Sequence, residues 1–148
     1  MSPRFLNPRT KNSVIEARSG IVIRYAYLWA REQDRGEEAG RKDRLACIQI
    51  LIAGKSGPTT VLLFPITSQS PHPDVVALSI PETEAKRVRL LTPAWIIVSE
   101  WNEDQIETSP HIADARPLGE FSKAFVARIR EAAIAAIKQR RYRSVSRR

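Results

Sequence analysis

The sequence predicts an α+β domain, mainly β, built as one strongly curved antiparallel sheet or small barrel with a C-terminal amphipathic helix. Five short apolar, β-branched segments recur between residues 20 and 101, separated by stretches rich in Gly, Pro, Ser and charge. A single helical stripe follows them. Too few helices lie between the strands for parallel βαβ crossovers, so the strands must pair antiparallel.

Each element has its own local reason. Residues 1–19 carry Pro3, Asn7 and Pro8 with little periodicity and read as an irregular lead-in. From Gly20 to Trp29 the chain alternates, placing Ile21, Ile23, Tyr25, Tyr27 and Trp29 on one side of a first strand. Residues 30–43 lose nearly all apolar content and include Gly36 and Gly40, which predicts a long exposed loop. Arg44 to Ala53 is apolar and β-branched, a second strand, and Gly54 to Pro58 is a hairpin turn. Thr59 to Ile66 forms the third strand, which runs into a polar loop over residues 67–74.

Val75 to Ile80 is a fourth strand, Pro81 to Leu90 a short helix, and Ala94 to Trp101 a fifth strand. Residues 102–118, with Pro110 and Pro117, read as irregular. Near Gly119 a helix is expected to begin. Phe121, Phe125, Ile129, Ala132, Ala136 and Ile137 fall on one stripe at spacings of three and four, so the helix should pack on the sheet.

At 148 residues the chain has the length of one domain, and its 43% hydrophobic content suits a real core. No run nears the roughly 18–20 apolar residues of a membrane-spanning helix, and the N-terminus lacks a signal-peptide pattern, which points to a cytoplasmic protein. Cys47 is the single cysteine, so no intramolecular disulfide is expected, and with only His72 and His111 beside it neither is a zinc cluster or any cofactor. Lys and Arg number 24 against 16 Asp and Glu, a net charge of +8 that favours phosphate chains as partners. Six of those charges (Lys138, Arg140, Arg141, Arg143, Arg147 and Arg148) lie at the C-terminal end, leaving the rest of the chain near +2. Residues 139–148 read as a basic tail, either contacting nucleic acid or solubilising a frayed end.

No phosphate-cradling Gly-rich loop, zinc-binding His pair or nucleophile elbow is present. The strand ends stand out instead: Arg44 opens the second strand, Thr67 and Ser68 close the third, and Glu100 lies at the end of the fifth.

In this setting Gly20-Ile21-Val22, the basic run Gly40-Arg41-Lys42-Asp43-Arg44-Leu45-Ala46 and the step Phe64-Pro65-Ile66-Thr67-Ser68 resemble, in order and spacing, the MazF/PemK toxins of bacterial toxin-antitoxin systems. Leu78-Ser79-Ile80-Pro81, the run from Trp95 to Glu100 and the C-terminal helix fit that family's later elements, so the resemblance spans residues 20–138. Leu45 stands where the family usually has proline, Ile21 where an acid is common, and the 30–43 loop contains no histidine.

The resemblance implies an SH3-like antiparallel barrel of the MazF/CcdB kind, homodimeric, that cleaves single-stranded RNA without a metal and is restrained by an antitoxin protein. In that chemistry a 2′-hydroxyl attacks the adjacent phosphate, so the site must accept one proton, supply another and hold extra negative charge. Arg44 would bind the phosphate with its planar fork, and Thr67 and Ser68 would add neutral hydrogen bonds. By the same resemblance Glu100 is the candidate base, with His72 the imidazole available for proton transfer or RNA contact. Arg41, Lys42 and Lys55 would track the RNA backbone, and Trp101, with Tyr25 or Trp29 as lesser candidates, would stack bases. The alternatives are a non-catalytic nucleic-acid-binding barrel and a related toxin that poisons a protein target such as DNA gyrase.

Overall fold

The computed structural model describes residues 18–36, 43–52, 58–112 and 115–147. Its centre is a curled, half-barrel sheet in which β1 (Ile21–Tyr25) lies antiparallel to β2 (Arg44–Ile52), and β2 pairs on its other edge with β3 (Thr60–Thr67). The far edge of β3 meets two strands. Its end pairs with β5 (Trp95–Ile97) and its first half with β6 (Glu100–Gln105). The predicted fifth strand is thus two strands, broken where Val98 N–H bonds Val76 O at 2.9 Å and Ser99 Oγ accepts from Val76 N–H at 3.0 Å. Both partners run antiparallel to β3, so one edge of β3 is shared by two successive strands on either side of this break.

β4 (Ala77–Ser79) extends the sheet beyond β5, and β7 (Gly119–Glu120) covers the free edge of β1. β8 (Arg143–Ser146) adds parallel to β6. Three helices complete the fold: α1 (Ala30–Asp34), α2 (Glu82–Arg87) and α3 (Lys123–Lys138). No described helix is long and apolar enough to cross a membrane.

The register explains the apolar runs. Val22, Cys47, Leu62 and Phe64 face α2 and α3, packing with Ala85, Phe125, Val126 and Ile129. Ile21, Ile23, Ala46, Ile48, Val61 and Leu63 face the other way, with Tyr25, Tyr27, Trp29, Ile97 and Ile112. Both faces are therefore buried along most of β1 and β3 and at the centre of β2, and alternation with polar residues is largely replaced by continuous hydrophobicity. The expected side-mates Ile21, Ile23, Tyr25, Tyr27 and Trp29 do share one cluster, although the paired strand ends at Tyr25. Cys47 is buried as expected, and burial pushes its thiol up to about 12, which leaves it an inert core group.

Four expectations need correction. The segment predicted as exposed loop from Ala30 begins instead as α1, because the Glu32 carboxylate reaches back to Trp29 N–H at 3.1 Å and Glu100 takes Ala30 N–H at 3.0 Å. The polar stretch after Trp101 stays in β6 as far as Gln105, since its buried side chains find partners inside: Asn102 bonds both the N–H and C=O of Leu28, and Asp104 accepts from Tyr25 and Ser109. The helix expected near Gly119 starts at Lys123. Ser122 caps it by accepting from Phe125 N–H at 3.2 Å, and Gly119 is held in β7, where an added Cβ would lie 2.0 Å from Arg87 O. On that helix Val126 and Ala133 take the buried stripe while Ile137 stays exposed.

The basic tail is the fourth. Residues 143–146 are strand β8, which covers Leu28 and Ala30 with Val145. The strand is tied at its end by Arg147, whose Nη1 donates to Ala26 O and to Asn102 Oδ1. The predicted hairpin turn at Gly54 to Pro58 lies almost wholly outside the described residues.

Candidate functional site

Antiparallel pairing brings three distant strand ends to one rim of the sheet. The partnership Ala46↔Pro65 carries Arg44 to the level of Thr67, and Asn102↔Leu63 carries Glu100 to the level of Pro65. The result is an open cleft of about 930 Å³ whose wall includes Arg44, Thr67, Ser68, His72 and Glu100. Five of the nine principal candidates from the sequence thus meet in one cavity, and Trp29, a lesser one, joins them.

Glu100 is half-buried at the start of β6, and its Oε2 accepts from Tyr27 OH and from Ala30 N–H, each at 3.0 Å. Burial raises its carboxyl above the usual carboxylate range, opposed by those two hydrogen bonds and by Arg31 and Arg143. A raised carboxylate is a stronger base than an ordinary one, the direction that proton abstraction requires.

Arg44 stands over the Trp29 ring, with its guanidinium carbon 5.8 Å from the centroid, and Arg31 sits 4.9 Å from the same ring. Trp29 thereby positions two cations at the cleft, each contact contributing about 0.5–1 kcal/mol. Arg44 lines the cavity and has no carboxylate partner among the described residues.

Thr67 Oγ1 accepts from Gln69 N–H at 3.0 Å, a turn that shapes the wall, while Ser68 is exposed. His72 is exposed, and its Nδ1 accepts from Asp74 N–H at 3.1 Å, so the proton of the neutral ring sits on Nε2.

The cleft is cationic. Arg24, Arg31, Arg44, Arg140, Arg141 and Arg143 line it against three carboxylates, Asp43, Asp74 and Glu100. One of the six is partly neutralised, since Arg143 pairs with Asp34 at 3.0 Å across the rim. Three of these arginines come from the segment read as a tail, and the same segment supplies Tyr142, a half-exposed ring on the cleft wall. The charge run was visible in the sequence; that β8 folds it back beside Glu100 was not. Among the described residues no three His, Cys, Asp or Glu side chains are grouped to hold a metal ion.

Trp101 is not part of this wall. It is buried in the core, edge-on to Phe64 at 5.6 Å and covered on one face by Tyr142, stacked at 5.3 Å and 7°. It has no face to offer a base, because its strand position points it into the α3 side of the sheet; the exposed ring above it is Tyr142. Tyr25 is likewise fully buried. Arg41, Lys42 and Lys55 lie outside the described residues. Comparison of the chain with protein-family models, with curated proteins and with solved structures finds no match.

Proposed function

We propose that this chain is a sequence-selective, metal-independent endoribonuclease that cleaves single-stranded RNA, the cytoplasmic toxin of a toxin-antitoxin pair with an SH3-like barrel of the MazF/PemK kind. The observation that carries the reading is the meeting of Arg44, Thr67, Ser68, His72 and Glu100 in one cationic cleft, although they are drawn from separate strands and loops.

Glu100 takes the proton of a ribose 2′-hydroxyl as its oxygen attacks the adjacent phosphorus. Arg44, helped by Arg140 and Arg141, holds the non-bridging oxygens as charge accumulates on them. The P–O5′ bond then breaks, the leaving oxygen takes a proton from the His72 side of the cleft or from water, and a 2′,3′-cyclic phosphate remains. Thr67 and Ser68 orient the phosphate with neutral hydrogen bonds. Tyr142, at the lip, is the ring on which a flanking base stacks.

A positively charged cleft of this size also suits an acidic antitoxin segment that orders on binding and blocks RNA entry. Ile134 and Ile137, exposed on the outer side of α3, and Leu91, 90% exposed, are apolar surface that a homodimer would cover.

A second reading, a barrel that binds nucleic acid without cutting it, is favoured by one observation. Glu100 Oε2 is already engaged with Tyr27 and Ala30 across the fold, and Thr67 Oγ1 with the Gln69 N–H of its own turn. The two readings separate on incubating the purified protein with mixed-sequence single-stranded RNA in EDTA beside Arg44→Ala, with fragment ends mapped. Cyclic-phosphate ends that vanish in the variant support the nuclease. Intact RNA held in a salt-dependent complex supports the binding module, and no binding at all removes both.

A further inference from the structure

A second cleft, about 790 Å³, adjoins the first, and Arg24 and Asp43 line both. Arg24 marks the ridge between them. It is the one exposed position in β1, opposite Leu45 on β2, in a strand whose other four residues are buried. A solvated arginine in the middle of such a strand has no core to stabilise.

The second cleft carries two more arginines, Arg89 and Arg116, both exposed and both without a carboxylate partner among the described residues. Arg89 follows α2 in the left-handed region, at φ 60°, a conformation that costs a non-glycine residue energy and that turns the chain sharply at the end of the helix. Arg116 sits between Ala115 and Pro117, and Pro110, Ala115, Pro117 and Leu118 give the cleft walls without charge. His111 adds an imidazole edge. Asp43 is the single carboxylate among the described lining residues.

Three arginines without a carboxylate partner among the described residues, lining a cleft that shares Arg24 and Asp43 with the cationic one and is otherwise walled mostly by neutral residues, suit a polyanion whose charges recur at intervals. A compact anion would need convergent donors instead. We infer that the second cleft is a distal phosphate-backbone subsite: single-stranded RNA whose scissile bond lies in the first cleft passes over Arg24 and continues across Arg89 and Arg116. This inference rests on the RNA-cleaving reading of the first cleft and extends it. Its consequence is a dependence on substrate length, because only an oligonucleotide long enough to cross the ridge gains the distal contacts.

The test uses the full chain carrying Glu100→Gln, so that RNA remains intact, and measures binding of single-stranded oligonucleotides of about four and about twelve nucleotides across a salt series. Arg89→Gln with Arg116→Gln is expected to lower the ratio of long to short affinity and to reduce the salt slope for the long RNA by about 1.4, two single-strand phosphates. Over a fourfold range of salt that slope change is about sevenfold in affinity. The paired Lys variants should restore the slope, since they keep the charge. Both side chains are exposed, so an unchanged circular dichroism spectrum is the folding control.

If the double Gln variant binds both lengths in the parent's ratio while Arg44→Ala abolishes binding, the distal subsite is wrong and the first-cleft reading stands. If neither length binds the parent protein, both fall together.

Discussion

Tyr27 OH donates to Glu100 Oε2 at 3.0 Å, joining the inner face of the sheet to the cleft across 73 residues of sequence. Burial, followed by the neighbouring Glu100, pushes the Tyr27 phenol well above its ordinary value, so it stays protonated and acts only as donor. The bond favours the charged carboxylate, and the carboxyl would otherwise rise further. Tyr27→Phe is therefore expected to cost roughly 1.5–3 kcal/mol in stability and to shift the acidic limb of the pH–rate profile to higher pH. An unshifted limb would mean that Glu100 is not the group titrating in cleavage.

Glu100→Gln should separate activity from stability. The amide cannot take the 2′-hydroxyl proton, so cleavage is expected to fall by about 10²–10⁴. The stability sign is opposite. A carboxyl whose folded pKa is raised contributes stability that is fully present below its unfolded pKa and lost as pH rises through the folded one. At neutral pH the buried charge is a net cost, and the variant should melt at a higher temperature than the parent. On acidification through the carboxylate range the difference should disappear. A variant that melts lower at neutral pH would show that the hydrogen bonds to the carboxylate outweigh its burial.

The C-terminal segment combines two roles that different variants pull apart. Deleting residues 139–148 removes β8, strips Val145 from Leu28 and Ala30, and uncovers Trp101 where Tyr142 stacks on it. The truncated chain is expected to unfold at a much lower denaturant concentration. Arg140→Gln with Arg141→Gln removes only charge from two exposed positions, so it should leave the melt within about 0.5 kcal/mol while lowering RNA affinity and its salt slope by about 1.4. Equal salt slopes for parent and variant would place the RNA elsewhere.

How much of this was legible in the sequence follows from what kind of information each part needs. Apolar runs such as Arg44 to Ile52 and Thr60 to Thr67 announce strands locally, and their edges, Arg44 and Thr67, fall where the runs stop. That is why the cleft's first members were found. The rest of β6 beyond Trp101, and all of β8, were missed for the opposite reason. Glu100 to Gln105 is polar, and its Asn102 and Asp104 are tolerated inside only because Leu28, Tyr25 and Ser109 supply partners from far away in sequence. Arg143 to Ser146 carries one apolar residue, and what it meets, β6 and, just beyond the strand, the Ala26 carbonyl that Arg147 reaches, lies far away in sequence. Trp101 misled because an aromatic at a strand end reads equally as core or as a stacking platform, and only the neighbouring rings decide.

Gly119→Ala tests the joint between the two ends of the domain. A Cβ there would lie 2.0 Å from Arg87 O and 2.9 Å from Arg87 C, both backbone atoms with no rotamer to yield. β7 or the end of α2 must shift, and with them the Arg87 side chain, whose Nε donates to Glu120 O at 3.0 Å. Destabilisation of about 1–3 kcal/mol is expected from chemical denaturation, with cleavage by the folded fraction retained because the cleft is built from other strands.

Arg147 and His111 make stability depend on mildly acidic pH. Arg147 Nη2 lies 3.0 Å from His111 Nε2, and since a guanidinium only donates, the imidazole must accept there and be neutral. The ring packs edge-on against Tyr25 at 5.8 Å; Asp104 and Asp43 favour its charged form, yet burial and Arg147 together lower its pKa. A depressed folded pKa contributes stability that is present above the unfolded value, about 6.5, and is lost as pH falls through the folded one. Protonation then sets two cations against each other at the anchor of β8. Denaturant midpoints should therefore fall on acidification across that interval. In His111→Phe, which keeps a ring against Tyr25 but cannot titrate, this component should be missing, although the variant begins less stable because Arg147 has lost an acceptor. Equal pH slopes for parent and variant would show that β8 is held by its backbone pairing to β6 and not by this contact.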